Sequence, residues 1–120
     1  MINTAMQSSL DQTLVALADP TRRAILQRLA QGEARVTALA RPFAISLNSV
    51  SKHIRVLERA RLVRRRRAGR EHLLSFAPEP LDAAAEWIEA QRAFWSERLD
   101  ALEQALRQPE SIRTTEEHSR

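Results

Sequence analysis

Val50, Ile54 and Leu57 recur at i, i+4 and i+7 within ISLNSVSKHIRVLER (45–59), which is one apolar stripe on an α-helix. At about 100° per residue, Asn48, Lys52, Arg55 and Arg59 fall on the opposite side, with Ser49 and Ser51 on the flanks. Ser46 is placed to cap the helix start. The outward face holds hydrogen-bonding groups and positive charge, with no carboxylate before Glu58. Such a face suits the major groove of DNA, where base edges offer donors and acceptors and phosphates flank them. It equally describes an ordinary amphipathic surface helix, so the neighbouring segments have to decide.

Upstream, Leu10, Leu14 and Leu17 form a narrow stripe that Asp19-Pro20 ends. Asp19 and Pro20 are suited to the N-cap and first position of a second helix, in which Ile25, Leu26 and Leu29 face inward. Arg22, Arg23 and Arg28 face outward there, and Gly32 ends the helix. Glu33 to Arg35 link it to a short helix near Thr37 to Arg41, with Leu39 and Ala40 as core contacts and Pro42 opposing its continuation. Two short helices joined by a tight turn at Ala44 and Ile45, the second bearing the polar face, make a helix-turn-helix.

After Ala60 the periodicity becomes alternating. Leu62-Val63 lead into four consecutive arginines, Ala68-Gly69, and a run from Arg70 to Phe76 in which His72, Leu74 and Phe76 share the inner face. Two strands around a glycine-containing turn predict a β-hairpin wing. An arginine run can serve only to keep a strand edge solvated. Arg66, Arg67 and Arg70 crowd the tip beyond that need and predict phosphate contact. Past Pro78 and Pro80 a helix over 81–107 carries Leu81, Ala84, Ala85, Ile88, Trp95, Leu99, Leu102 and Leu106 along one side, broadened by Trp87 and Phe94. At about 40 Å it outruns what so small a body covers, so a second copy is the simplest partner. Leu10, Leu14, Leu17, Leu81, Ile88, Trp95, Leu99 and Leu102 are the expected dimer contacts. The expected layout is a flexible N-terminus (1–9), one domain (10–108) and a disordered tail (109–120), whose only aliphatic side chain is Ile112.

A length of 120 residues allows one domain with one core. Lys52 is the only lysine, so the basic balance is arginine, whose planar fork suits phosphates and guanine edges. The same bias can reflect genomic composition. Charge is uneven: residues 1–80 hold 14 Lys and Arg against 6 Asp and Glu, whereas 81–120 hold 5 against 9. That places an anionic partner on one part of the chain. With no cysteine there is no disulfide, thiolate metal site or cysteine nucleophile. No signal peptide or membrane span is legible, so a cytoplasmic protein is expected. His53, His72 and His118 lack metal-ligand spacing; His53 is expected at the groove-facing edge and His72 inside the wing. No catalytic arrangement or phosphate loop is present, so no enzyme, metal or cofactor is expected.

LADPTRRAILQRLA (17–30), SLNSVSKHIRVLERARLV (46–63) and RRRRAGREHLLSF (64–76) together resemble the ArsR family of bacterial winged-helix repressors. WIEAQRAFWSERLDALEQAL (87–106) is similar to a subgroup with a long, tryptophan-containing last helix. The resemblance implies a mainly α winged helix-turn-helix, α-α-α-α-β-β-α, dimerising through its first and last helices. It puts Asn48, Ser51 and Lys52 at the DNA-reading positions, with Ser46, Ser49 and His53 close by, Arg55 on the same face, and Arg66, Arg67 and Arg70 at phosphates. Two departures stand out. Arg61 replaces the usual glycine after the recognition helix, and Val36-Thr37-Ala38-Leu39-Ala40 lacks the family's metal-binding cysteines. The expected function is therefore a dimeric, metal-independent transcriptional repressor on a pseudopalindromic operator, with an unidentified small-molecule effector as a further partner. The rival reading is a winged-helix module that binds an acidic protein surface.

Overall fold

Helices α1 (Thr4–Leu17) and α2 (Pro20–Leu29) are separated by two residues whose chemistry makes the break. Asp19 is extended, its Oδ2 accepts the Arg22 amide at 3.0 Å, and Pro20 occupies the first turn where no amide hydrogen is needed. The computed structural model describes residues 4–108 in two compact units, one ending at Ala85 and the other beginning at Glu86. Residues 4–9 belong to α1, so the flexible start expected for 1–9 is helical from Thr4. The tail expected to be disordered (109–120) lies outside the described residues.

Next come β1 (Ala34–Arg35), α3 (Val36–Ala40), α4 (Leu47–Arg59), β2 (Val63–Ala68), β3 (Glu71–Phe76) and α5 (Glu79–Arg107). The hairpin thus gains a third strand, in antiparallel order β1-β3-β2, with Ala34 opposite Leu74 and Arg35 opposite Leu73. The link expected at Glu33 to Arg35 is this short strand. In the wing Val63, Arg65 and Arg67 stand opposite Phe76, Leu74 and His72, so they share a face. Leu74 at the base is buried, whereas His72 near the tip is exposed and does not join the inner face.

The core is the convergence of the expected stripes. Ile25, Leu26 and Leu29 of α2, Leu39 of α3, and Val50, Ile54 and Leu57 of α4 are buried with Leu62, Val63 and Leu74. Fully burying one such side chain contributes roughly 1.5–3 kcal/mol. The inward face of α1 is set by Thr13 and Ala16 rather than by a leucine stripe. Thr13 satisfies its hydroxyl on the Ser9 carbonyl at 3.1 Å. Leu17 packs half-buried against the core, as does Leu81 of α5. Both therefore spend part of their surface inside the first unit, although they were expected to be free for a partner. Leu14 and Val15 remain exposed.

The second unit is described through Arg107 and is the remainder of α5. Ile88, Trp95, Leu99, Leu102 and Leu106 are all exposed along it, Trp95 by 59% and Leu99 by 62%. Phe94 and Trp95 meet edge to face with ring centroids 5.7 Å apart, and the Arg98 guanidinium lies 4.7 Å from the Phe94 centroid.

Helix α4 ends in a Schellman turn. The Arg61 amide donates to the Glu58 carbonyl and the Leu62 amide to the Leu57 carbonyl, both at 3.0 Å. Arg61 sits at φ +61°, the left-handed conformation that a glycine takes without a Cβ penalty. Buried Leu62 anchors the far side of the turn, so packing outweighs local strain. Arg61→Gly is predicted to raise stability by about 0.5–1 kcal/mol, the relief of strain less the added freedom of the unfolded chain. A urea titration checks this: the midpoint rises while the slope stays unchanged. A lower midpoint would show that the Arg61 side chain contributes more than its backbone costs.

Candidate nucleic-acid interface

The start of α4 is fixed by Ser46, whose Oγ accepts the Ser49 amide at 3.1 Å and also meets the Ser49 hydroxyl at 3.1 Å. Both hydroxyls therefore serve the cap. Beyond them Asn48, Lys52, Arg55 and Arg59 are exposed, and none enters an ion pair among the described residues. Ser49 and Ser51 are half-buried at the edges of that face. The opposite side of α4 is locked by Val50, Ile54 and Leu57, all fully buried, so the polar face is held rigidly.

His53 is placed differently from the groove-facing edge expected for it. Its side chain is three-quarters covered and turned toward α2, with Nδ1 3.3 Å from Arg22 Nη1 and 3.7 Å from Asp19 Oδ2. Arg22 itself, expected to face outward, bridges elements. Its Nε donates to the Ala16 carbonyl at 2.9 Å and its Nη2 to the Val15 carbonyl at 2.8 Å. Arg23 Nη1 donates to the Leu17 carbonyl at 2.7 Å. The last turn of α1, whose carbonyls lack helical partners, is thus closed by two arginines from the next helix. A sequence signal existed for this: cations in a first turn oppose the helix dipole, so Arg22 and Arg23 needed another partner. The Arg22 amide, with further help from His53 and the Arg22 charge, holds the Asp19 carboxyl below its usual range against a modest desolvation.

The arginines of β2 divide into two groups. Arg64 reaches Glu79 at 3.2 Å, Arg65 forks onto Glu58 of α4 at 2.9 and 3.3 Å, and Arg66 forks onto Glu33 at 2.6 and 2.8 Å. The Arg66 hydrogen bond draws the Glu33 carboxyl below its ordinary value, and Glu58 strengthens the hold of Arg65 on its proton. Arg66, expected at a phosphate, is therefore engaged within the fold. Arg67 donates Nε to the Gly69 carbonyl at 3.1 Å across the turn, and Arg67 and Arg70 have no carboxylate partner among the described residues. Gly69, at φ +64°, allows the tight tip that presents them. No group of three metal-ligating side chains is assembled among the described residues.

The face of α4 thus presents cations together with hydrogen-bonding side chains, and the wing tip presents further cations, a combination fitted to a duplex groove and its phosphates. Comparison with known proteins agrees with that geometry. The helix-turn-helix domain family matches residues 17–66. The chain is 40% identical over 96 residues to the HTH-type transcriptional regulator Rv2034 of Mycobacterium tuberculosis, covering 80% of this chain and 87% of that one. The crystal structure of the ArsR family transcriptional regulator RHA00566 superposes with a TM-score of 0.73 at 38% identity, covering 80% of this chain and 97% of that one. The homodimeric winged helix-turn-helix DNA-binding domain of Mb0332 from Mycobacterium bovis, solved in solution, gives a TM-score of 0.59 at 31% identity, covering 81% and 87%. With relatives of this identity matched over most of their length, the chain belongs to the ArsR family of winged helix-turn-helix transcriptional regulators.

Proposed function

We propose that the protein is a homodimeric, cytoplasmic repressor that binds an operator through two copies of α4 and covers promoter DNA. The observation that carries this reading is the sorting of cations. Arg64, Arg65 and Arg66 are neutralised by carboxylates of the fold, whereas Lys52, Arg55, Arg59, Arg67 and Arg70, on α4 and the wing tip, have none among the described residues. Asn48, Ser51 and Lys52 read base edges; Ser46 and Ser49 hold the helix start against the groove; Arg55, Arg67 and Arg70 hold phosphates. Arg66 joins them only by exchanging Glu33 for a phosphate. Support for two copies comes from the exposed stripe Ile88, Trp95, Leu99 and Leu102 on α5, from exposed Leu14 on α1, and from the homodimeric relative. Leu10, Leu17 and Leu81 contribute at most the edges left uncovered. Two-fold pairing sets the α4 helices about 34–36 Å apart, one turn of DNA. No described helix is long and apolar enough to cross a membrane.

Base contacts and phosphate contacts separate by mutation. Lys52→Ala and Asn48→Ala are expected to weaken binding to the operator by about 1–3 kcal/mol each, and binding to unrelated duplexes by less. Arg67→Ala and Arg70→Ala are expected to weaken all duplexes alike and to flatten the salt dependence by about one unit of slope each. Fluorescence anisotropy over a salt series, on a duplex selected from a random pool, reads both. Wing variants that change sequence preference while Lys52→Ala does not would reverse the assignment, and failure to select any duplex would favour an acidic protein partner.

The dimer has its own test. Leu99→Glu places an unpaired charge in the seam and is expected to give monomer or aggregate in light scattering, with operator binding lost although every DNA-facing residue is intact. A wild-type chain that is monomeric and well folded, yet binds the operator at full affinity, would rule the scheme out.

A further inference from the structure

The Arg22–His53 contact joins the middle of α4 to the first turn of α2, whose Arg22 also closes the end of α1, and its chemistry depends on the protonation of the imidazole. A guanidinium has donors only, so the 3.3 Å approach of Arg22 Nη1 to His53 Nδ1 is a hydrogen bond only when Nδ1 carries a lone pair. Arg22 cannot turn aside to accommodate a proton there, because its other nitrogens are held by the Ala16 and Val15 carbonyls. We propose, on the reading of α4 as a DNA-recognition helix, that His53 is a positioning residue. Its neutral imidazole, held by Arg22, keeps α4 in the register that reads base sequence, and protonation releases it.

The surroundings say what protonation does. From α2 two charged groups face the ring, Arg22 and Asp19, the carboxylate lying 3.7 Å from Nδ1. From α1 the charged residue on the side shared with α4 is Asp11, which lines a groove with Val15, Val56 and Arg59. Helix α3 carries no titratable side chain, and β2 reaches α4 through Arg65, already held by Glu58. On α4 itself the residues three and four away are Ser49, Val50, Val56 and Leu57, none of them charged. An imidazolium loses the Arg22 donor, is repelled by it, and finds its new acceptor in Asp19 Oδ2. That same oxygen caps α2 through the Arg22 amide. The ring then exchanges the Arg22 side chain, which also holds the end of α1, for the α2 cap, and the hydrogen-bonded link from α4 through Arg22 to the first helix is lost.

The experiment measures wild-type protein by fluorescence anisotropy, at constant ionic strength from pH 8 to 5.5. One duplex is selected by the protein from a random pool, and the other is its scrambled counterpart. The ratio of the two affinities is expected to fall on the order of tenfold in acid, the effect of losing one charge-assisted hydrogen bond. His53→Asn keeps a neutral acceptor on a short side chain and should hold the wild-type pH 8 ratio across the range. His53→Ala should give the low ratio at every pH. The imidazole nitrogen spectrum of the free wild-type protein should show Nδ1 unprotonated at pH 8, a readout independent of any variant's folding. A flat wild-type ratio, a His53→Asn protein as weak as His53→Ala, or a protonated Nδ1 at pH 8 overturns the proposal. If no duplex is selected at all, the DNA reading fails and the nitrogen spectrum still decides the contact.

Discussion

The fork of Arg22 reaches from α2 to two other helices at once. Two of its nitrogens close the last carbonyls of α1, its backbone amide is held by Asp19 at the head of α2, and its remaining nitrogen meets His53 in the middle of α4. Lysine has no planar fork and could not span these positions. An apolar core alone fixes a helix against sliding only as tightly as its side chains interdigitate, whereas hydrogen bonds of fixed length add direction. Val50, Ile54 and Leu57 fix the depth of α4, and the Arg22–His53 contact opposes its rotation. A recognition surface held to a fixed geometry needs both constraints.

Charge is distributed by the same logic. Exposed ion pairs contribute little to stability, so Arg64–Glu79 and Arg66–Glu33 explain little about why the fold persists. Their consequence is local potential. Each pairing removes a positive charge from β2 and leaves Arg67 as the arginine of that strand without a carboxylate among the described residues. Arg65 differs, because its partner Glu58 lies on the recognition helix itself and both groups are about two-thirds covered. This pair links the wing to the last turn of α4.

Most of the helices were legible because each repeats an apolar residue every three or four positions. The caps were legible because Asp19, Ser46 and Arg61 each sit where backbone geometry restricts the choice. Strand β1 was not, since two residues carry no period and its pairing with Leu73 and Leu74 is made at a distance in the chain. The position of His53 was misread for a related reason. Helical spacing puts it beside the polar face, and only the folded position of Arg22, 31 residues away, turns it inward. Arg66 and Glu33 are likewise 33 residues apart, and nothing local marks one arginine of a run of four as paired. The leucines of α1 misled in the opposite direction: small Thr13 and Ala16 occupy the close approach, and Leu14 is left outside.

Helix α5 shows how one pattern serves two ends in a single element. Up to Ala84 its apolar side is used within the first unit, with Ala84 buried and Leu81 packed against the core. From Ile88 the same spacing continues with larger side chains that are more than half exposed. A helix needing only intrachain cover would turn polar there, as the face bearing Glu89, Arg92 and Glu103 does. Five large apolar residues in register, with Phe94 and Trp95 set edge to face beside them, instead describe a surface that becomes stable when covered. A second α5 supplies a matching stripe at the same period, which no unrelated surface need do. The stretch that contributes least to the monomer's core is therefore the one with the longest uncovered apolar stripe among the described residues.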